Sequence, residues 1–126
     1  MKPRRLAGFL LILVLSALPA LAATRPPEEQ EAIDWLLSEV RTSDAVFIRN
    51  GSEYNGEKAA AHLKSKLVFA GKRVQTAREF IVGIASRSSA SGQPYEIRRK
   101  DGTRQPLEKW LLERLAVFEK GKAAAR

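Results

Sequence analysis

His62 is the only histidine in the chain, so acid–base or metal chemistry near neutral pH falls to it. A zinc site needs several His or Cys ligands. The chain has no cysteine, and no acids stand beside His62 at a ligand spacing. No metal and no cofactor are therefore expected. As a general base, His62 needs a hydroxyl nucleophile and an orienting acid; Ser52, Ser88 and Ser89 offer the first and Glu53 the second. No G-x-S-x-G elbow or S-x-x-K pattern supports that use. The plainer reading is a half-buried, hydrogen-bonded helix histidine at the border of an apolar face.

The densest polar stretch is Arg49-Asn50-Gly51-Ser52-Glu53-Tyr54. Arg49 presents a planar donor fork that matches carboxylate or phosphate. Asn50 and Ser52 add donors, and Tyr54 adds a face for stacking. In the alternative reading these side chains serve the fold, with Asn55 capping the next helix and Arg49 paired with Glu53. The loop from Ser86 to Gly92, with Ser86, Ser88 and Ser89, offers hydroxyls and N–H groups to an anion, or is a flexible connector. It lacks the lysine and glycine frame of a nucleotide phosphate loop. Arg98-Arg99-Lys100, with Arg104 across a turn, is the strongest positive cluster. It suits an anionic membrane surface or an acidic polymer, or is an exposed turn; no recognition helix and no interleaved aromatics back nucleic-acid binding, and no specific nucleic acid is expected. No pair of acids is placed as a glycosidase dyad.

Elements that position these residues follow from periodicity. Ile33, Leu36, Leu37 and Val40 recur at helical spacing and predict a helix over about Glu28–Arg41. Ala45–Arg49 is β-branched and aromatic and reads as a strand, closed by the turn signal Asn50-Gly51. A second helix is predicted from about Glu57 to Ala70, with Ala59, Ala60, Leu63, Leu67 and Ala70 inward and Gly71 as its left-handed cap. Thr76 and Glu79 match the capping box of a third helix, about Ala77–Ala85. Tyr95–Arg99 alternates as a second strand, Asp101-Gly102 turns, and Pro106 opens a last helix carrying Leu107, Trp110, Leu111, Leu115 and Phe118. The expected fold class is α+β, predominantly helical, with about four helices and a small two-stranded β element in a single compact domain. If the strands pair, Phe47 and Ile97 enter the core and the Arg49 loop approaches Tyr95.

The amino terminus sets the expected location. Met1-Lys2-Pro3-Arg4-Arg5 is positive, Leu6–Leu18 is apolar apart from Gly8 and Ser16, and Ala20-Leu21-Ala22 is an A-x-A cleavage site. This is the pattern of a cleavable secretory signal over residues 1–22, too short in its apolar part for a span of about 20 residues. Residues 23–28, with Pro26 and Pro27, are expected as a linker, residues 29–120 as the domain, and residues 121–126 as a frayed basic tail. The leader holds Lys2, Arg4 and Arg5, so 22 less 3 leaves 19 basic residues against 14 acidic ones. That moderate positive balance favours anionic partners or simply keeps a small domain soluble.

Phe47-Ile48-Arg49-Asn50-Gly51, Ala60-Ala61-His62-Leu63 with Lys66-Leu67, and Thr76-Ala77 with Glu79-Phe80-Ile81 form one ordered set. Ala85-Ser86-Arg87-Ser88-Ser89 and Ser91-Gly92 with Pro94-Tyr95 complete it. The set resembles the YfeK-like family of small exported bacterial proteins, which has no assigned function, and reaches from about Glu29 to Leu115 with the flanking helices. The resemblance implies a bacterial periplasmic setting with no known cofactor or reaction. It also implies a cysteine near the Phe47 segment and another after Tyr95, and so neighbouring strands; this chain has Ser43-Asp44-Ala45 and Arg98-Arg99-Lys100 there. The leading expectation is a non-enzymatic domain that binds an envelope component or a protein partner. The expected surface is formed by Arg49, Asn50, Ser52, Glu53, Tyr54, His62, Lys66, Ser86, Ser88, Ser89 and Tyr95. A small serine/histidine hydrolase and a basic module for nucleic acid or membrane are the alternatives.

Overall fold

The computed structural model describes residues 24–126; the predicted export signal lies outside the described residues. Helix α1 runs Pro27–Thr42, with proline in its first turn and Glu28 and Glu29 at its positive end. Its buried stripe is Ala32, Ile33, Leu36 and Val40. The predicted linker is already docked before this helix begins. Arg25 Nε donates to the Val74 carbonyl at 2.8 Å, and Pro27 is helical.

Four strands follow rather than the two expected: β1 (Val46–Arg49), β2 (Ser52–Tyr54), β3 (Glu96–Arg98) and β4 (Arg104–Pro106). They form one antiparallel sheet in the order β2-β1-β3-β4. The two unforeseen strands are at the edges, are three residues long, and carry Ser-Glu-Tyr and Arg-Gln-Pro. Neither has an apolar alternation for a pattern to detect, and proline is tolerated at an edge. The β1–β2 connection is a two-residue turn in which Asn50 (φ 52°) and Gly51 (φ 80°) are both left-handed. This is the mirror-image turn that matches strand twist, and it sets Arg49 opposite Ser52.

Tyr54, Phe47, Ile97 and Gln105 form one row across the sheet, with Phe47 and Ile97 in the core. The neighbouring row, Glu53, Ile48, Glu96 and Pro106, lies on the opposite face. There Arg98 of β3 reaches over β1 to Glu53 of β2 at 2.8 Å, and Ile48, between them in register, is buried.

Helix α2 spans Gly56–Ala70. Asn55 is its cap, its Oδ1 accepting from the Lys58 N–H at 2.9 Å. Ala60, Leu63, Leu67 and Ala70 are buried, as their spacing predicts. Gly71 (φ 58°) ends the helix and begins a short 3₁₀ turn, Gly71–Arg73. Helix α3 opens with the predicted capping box: the Glu79 N–H donates to Thr76 Oγ1 at 3.0 Å, and Thr76 N–H donates to Glu79 Oε1 at 3.1 Å. It is α-helical only over Ala77–Glu79 and continues as a π-helical turn, Phe80–Ile84. A regular helix was the expectation. Phe80 and Ile81, expected on its inward face, are both fully buried.

Helix α4 runs Leu107–Ala124 behind Pro106 and buries Leu107, Leu111 and Leu115. It extends through residues 121–124, where fraying was expected. Trp35 of α1 meets Phe118 with ring centres 5.2 Å apart, and Phe47 of β1 meets Trp110 at 6.3 Å. The α+β class with helix dominant is as the pattern predicted, and the strands bearing Phe47 and Ile97 do pair.

One glycine is required by packing. A methyl group on Gly56 would lie 2.3 Å from the Val40 carbonyl oxygen, 2.9 Å from that of Arg41 and 3.0 Å from that of Ser43. Helix propensity alone favours alanine there by about 1 kcal/mol, but backbone cannot yield as a side chain can. Gly56→Ala is expected to destabilise the domain by about 1–3 kcal/mol, seen as a lower midpoint in urea denaturation.

Candidate functional site

Four elements converge on the imidazole of His62. Helix α2 carries His62 and, one turn on, Lys66; β1 ends in Arg49; β2 ends in Tyr54; and Tyr95 immediately precedes β3. Arg49 Nη1 lies 3.3 Å from His62 Nε2 and Arg49 Nη2 donates to the Tyr54 hydroxyl at 3.1 Å. The Tyr95 hydroxyl lies 3.2 Å from the same His62 Nε2, and Lys66 Nζ donates to that hydroxyl at 3.0 Å.

Donor rules fix the proton positions in this chain. Guanidinium only donates, so His62 Nε2 accepts and the ring proton sits on Nδ1. Tyr95 accepts from Lys66, and its own proton and an Arg49 N–H share the single lone pair of Nε2, at 3.2 and 3.3 Å. Burial first, then the charges of Arg49 and Lys66, hold His62 below the ordinary histidine range. The Arg49 hydrogen bond pulls the Tyr54 hydroxyl below its ordinary range, and the same bond raises the Arg49 guanidinium. The result is a neutral imidazole held between two permanent cations.

Lys66 serves the scaffold. Its ammonium donates to the Ile84 carbonyl at 2.8 Å, the Arg87 carbonyl at 2.9 Å and the Tyr95 hydroxyl at 3.0 Å. All three of its protons are engaged, and it sits at the negative C-terminal end of the π turn. The expectation that Lys66 offers charge to a ligand is corrected accordingly.

The serine loop is built, not flexible. Ser88 N–H donates to the Gln93 carbonyl at 2.9 Å, and Tyr95 N–H to the Ser86 carbonyl at 3.0 Å. Ser86 Oγ donates back to the Val82 carbonyl at 2.7 Å. Ser88 Oγ accepts from Asn50 Nδ2 at 3.2 Å and from the Ala90 N–H at 3.3 Å, and Ser91 Oγ donates to Asn50 Oδ1. Ser86 and Ser88 are buried. Asn50, raised on its left-handed turn, thus ties the β1–β2 hairpin to the serine loop. Ser91 was missed by the sequence reading, and nothing in a run of serines distinguishes it.

Of the predicted residues, Arg49, Tyr54, His62 and Tyr95 border one cavity of about 120 Å³. Its wall includes Phe47, Leu63 and Leu107, and Lys58 and Glu96 also reach it; these were not foreseen as site residues. Asn50, Lys66, Ser86 and Ser88 support it from behind. Glu53 turns to the other face of the sheet and pairs with Arg98, not Arg49. Ser52 is exposed on β2, and Ser89 lines a separate groove on the far flank of His62. Among the described residues no serine hydroxyl hydrogen-bonds the His62 ring; its partners there are Arg49 and Tyr95. The basic cluster is largely matched: Arg98 to Glu53, Arg104 to Glu96, and Lys100 to Asp44 at 3.7 Å. Among the described residues no group of His, Cys, Asp and Glu could hold a metal ion, and no helix is long and apolar enough to cross a membrane.

The fold and cavity define a small α+β domain in which an antiparallel sheet, packed on helices, holds a cationic cleft around a neutral histidine. Comparison of the chain with known proteins agrees with the resemblance noted from its motifs. Over residues 27–119 it matches the family described as "Family of unknown function (DUF5329)", and it belongs to that family. It is 38% identical over 85 residues to "Uncharacterized protein YfeK" of Salmonella typhimurium, an overlap of 68% of this chain and 71% of that protein. No solved structure matches the chain.

The depressed His62 makes a signed prediction. Folded and unfolded chains hold the ring equally neutral well above 6.5, the ordinary histidine value. As pH falls through that value the unfolded state takes up the proton first, so stability is lost. The melting temperature is expected to fall as pH drops from neutral toward the carboxylate range. His62→Gln should flatten that part of the curve. An unchanged slope in the variant would show that His62 does not titrate in this way.

Proposed function

We propose that residues 1–22 direct this protein into the periplasm, where it acts as a non-enzymatic binding domain. Its ligand is a small carboxylate-bearing group of an envelope component or protein partner, held in the cleft between Arg49, Tyr54, His62 and Tyr95. The observation that carries the reading is the state of Arg49. The sheet arginines Arg98 and Arg104 each meet a carboxylate; Arg49 meets a histidine nitrogen and a phenol instead. A guanidinium has five N–H donors, and these contacts engage two of them. Arg49 is itself part of the lining of a cavity whose wall is mostly aliphatic and aromatic.

Size and polarity define the ligand class. A cavity of about 150 Å³ lined by apolar side chains accepts benzene, so a space of about 120 Å³ suits a short aliphatic or small cyclic body. The Arg49 fork then takes the carboxylate, and the ring of Tyr54, 5.3 Å from the Arg49 guanidinium carbon, holds the fork flat. Nothing in this arrangement polarises or attacks a bond, which favours capture over catalysis.

Two measurements test this. Amide and imidazole chemical shifts of His62 and Tyr54 are followed as small aliphatic carboxylic acids are titrated in, with the matched alcohols as controls. The acids should bind and the alcohols should not, and Arg49→Ala should weaken binding about tenfold while keeping a cooperative melt. Loss of the melt would make Arg49 structural. Separately, amino-terminal sequencing of protein from the periplasmic fraction should begin at Ala23. Full-length chain in the cytosol would remove the setting.

A further inference from the structure

A second concave surface begins on the far side of His62, the one residue it shares with the carboxylate cleft. It lies between the outer flank of α2 and the π turn of α3, an open groove of about 970 Å³. One wall presents Ser65, Phe69 and Arg73; the other presents Arg78, Val82 and Gly83. Phe69 is 86% exposed and Val82 49% exposed. A substituent on Gly83 would meet nothing within 4 Å, so the floor over the π turn is unfilled. Large apolar side chains left in water beside a groove mark an interaction surface.

Charge narrows the occupant. Arg73 stacks against Phe69, 5.9 Å from the ring centre, and holds the carbonyls of Ala70 and Phe69 at 3.1 and 3.4 Å. Neither Arg73 nor Arg78 has a carboxylate partner among the described residues. Glu79 is the one acid on the lining, and its Oε1 is occupied by the N–H groups of Gln75 and Thr76 in the capping box. The apolar floor therefore has a rim of positive charge. A second copy of this basic chain would bring like charge to that rim, and a flat bilayer surface does not fill a concave floor.

We infer that this groove receives an acidic amphipathic helix of a partner protein. Apolar side chains one turn apart on that helix would cover Phe69, Val82 and the space over Gly83, and its flanking Asp or Glu would meet Arg73 and Arg78. This interface goes beyond the carboxylate cleft and does not depend on it, since Arg49 and Tyr54 are no part of the groove.

The test is selection from a displayed library of random peptides of about four helical turns, ~15 residues, on the chain from Ala23 to Arg126, with counter-selection on Phe69→Asp. Enriched peptides should carry net negative charge and apolar residues at i, i+3 and i+4. Their affinity should fall about tenfold or more in Phe69→Asp and in Arg78→Glu. Both substituted side chains are exposed, so unchanged melting curves are expected for both. Enrichment of neutral or basic peptides, or none that discriminates the variants, overturns the proposal. So does a dimer in sedimentation that Phe69→Asp dissolves, or binding to anionic vesicles that Phe69→Asp abolishes.

Discussion

The ammonium of Lys66 joins segments that the chain order keeps apart. It stands on α2, yet its three acceptors come from the end of the π turn, from the serine loop and from Tyr95 at the entry to β3. A partly buried cation gives up some of its water and is compensated by protein acceptors, so these three hydrogen bonds tie those segments to α2. The consequence runs outward. With Lys66 donating to it, the Tyr95 hydroxyl directs its own proton at His62, His62 stays neutral, and its Nε2 becomes the acceptor that orients Arg49. The cleft is thus the outer end of a hydrogen-bond chain whose inner end is a structural lysine.

This explains why the candidate residues divided as they did between ligand and scaffold. Lys66 and Arg49 are both cations in one polar region, and residue type alone assigns them the same role. Geometry separates them: the ammonium has three protons and three protein acceptors, whereas the guanidinium keeps donors beyond the two contacts it makes. The serines divide on the same principle. Ser88 and Ser91 close on Asn50 and Ser86 closes on Val82, because a loop that enters the interior must satisfy its own hydroxyls.

What the sequence made legible was everything with a period or a cap. The stripe of Ile33, Leu36 and Val40, the Asn-Gly turn, Asn55, and the Thr76–Glu79 box all act within a few residues, and each behaves as its local chemistry dictates. The edge strands β2 and β4 were illegible because their pairing is imposed by β1 and β3 and not by any apolar alternation of their own. The π turn was illegible because Phe80, Ile81 and Ile84 read as the inward face of an ordinary helix, and the pattern does not separate the two windings. Of the cleft, Arg49, Tyr54, His62 and Tyr95 were readable as chemical types. Their partners were not: Glu53 faces Arg98 because strand alternation puts it on the opposite side from Tyr54, a relation visible only once β2 is known to be a strand.

Charge placement carries the last step. On the outer face of the sheet, Arg98 and Arg104 meet Glu53 and Glu96 across neighbouring strands. Such exposed pairs contribute at most about 1 kcal/mol each, so their main effect is to cancel charge where the sheet meets water. No comparable cancellation occurs around His62. Arg49 opens on one flank of that residue, and Arg73 and Arg78 open on the other, all without carboxylate partners among the described residues. Unmatched positive charge is tolerable only where water or an anion can reach it. Both proposed sites rest on this contrast: the sheet arginines meet carboxylates, while the arginines at the two concave surfaces flanking α2 have none among the described residues.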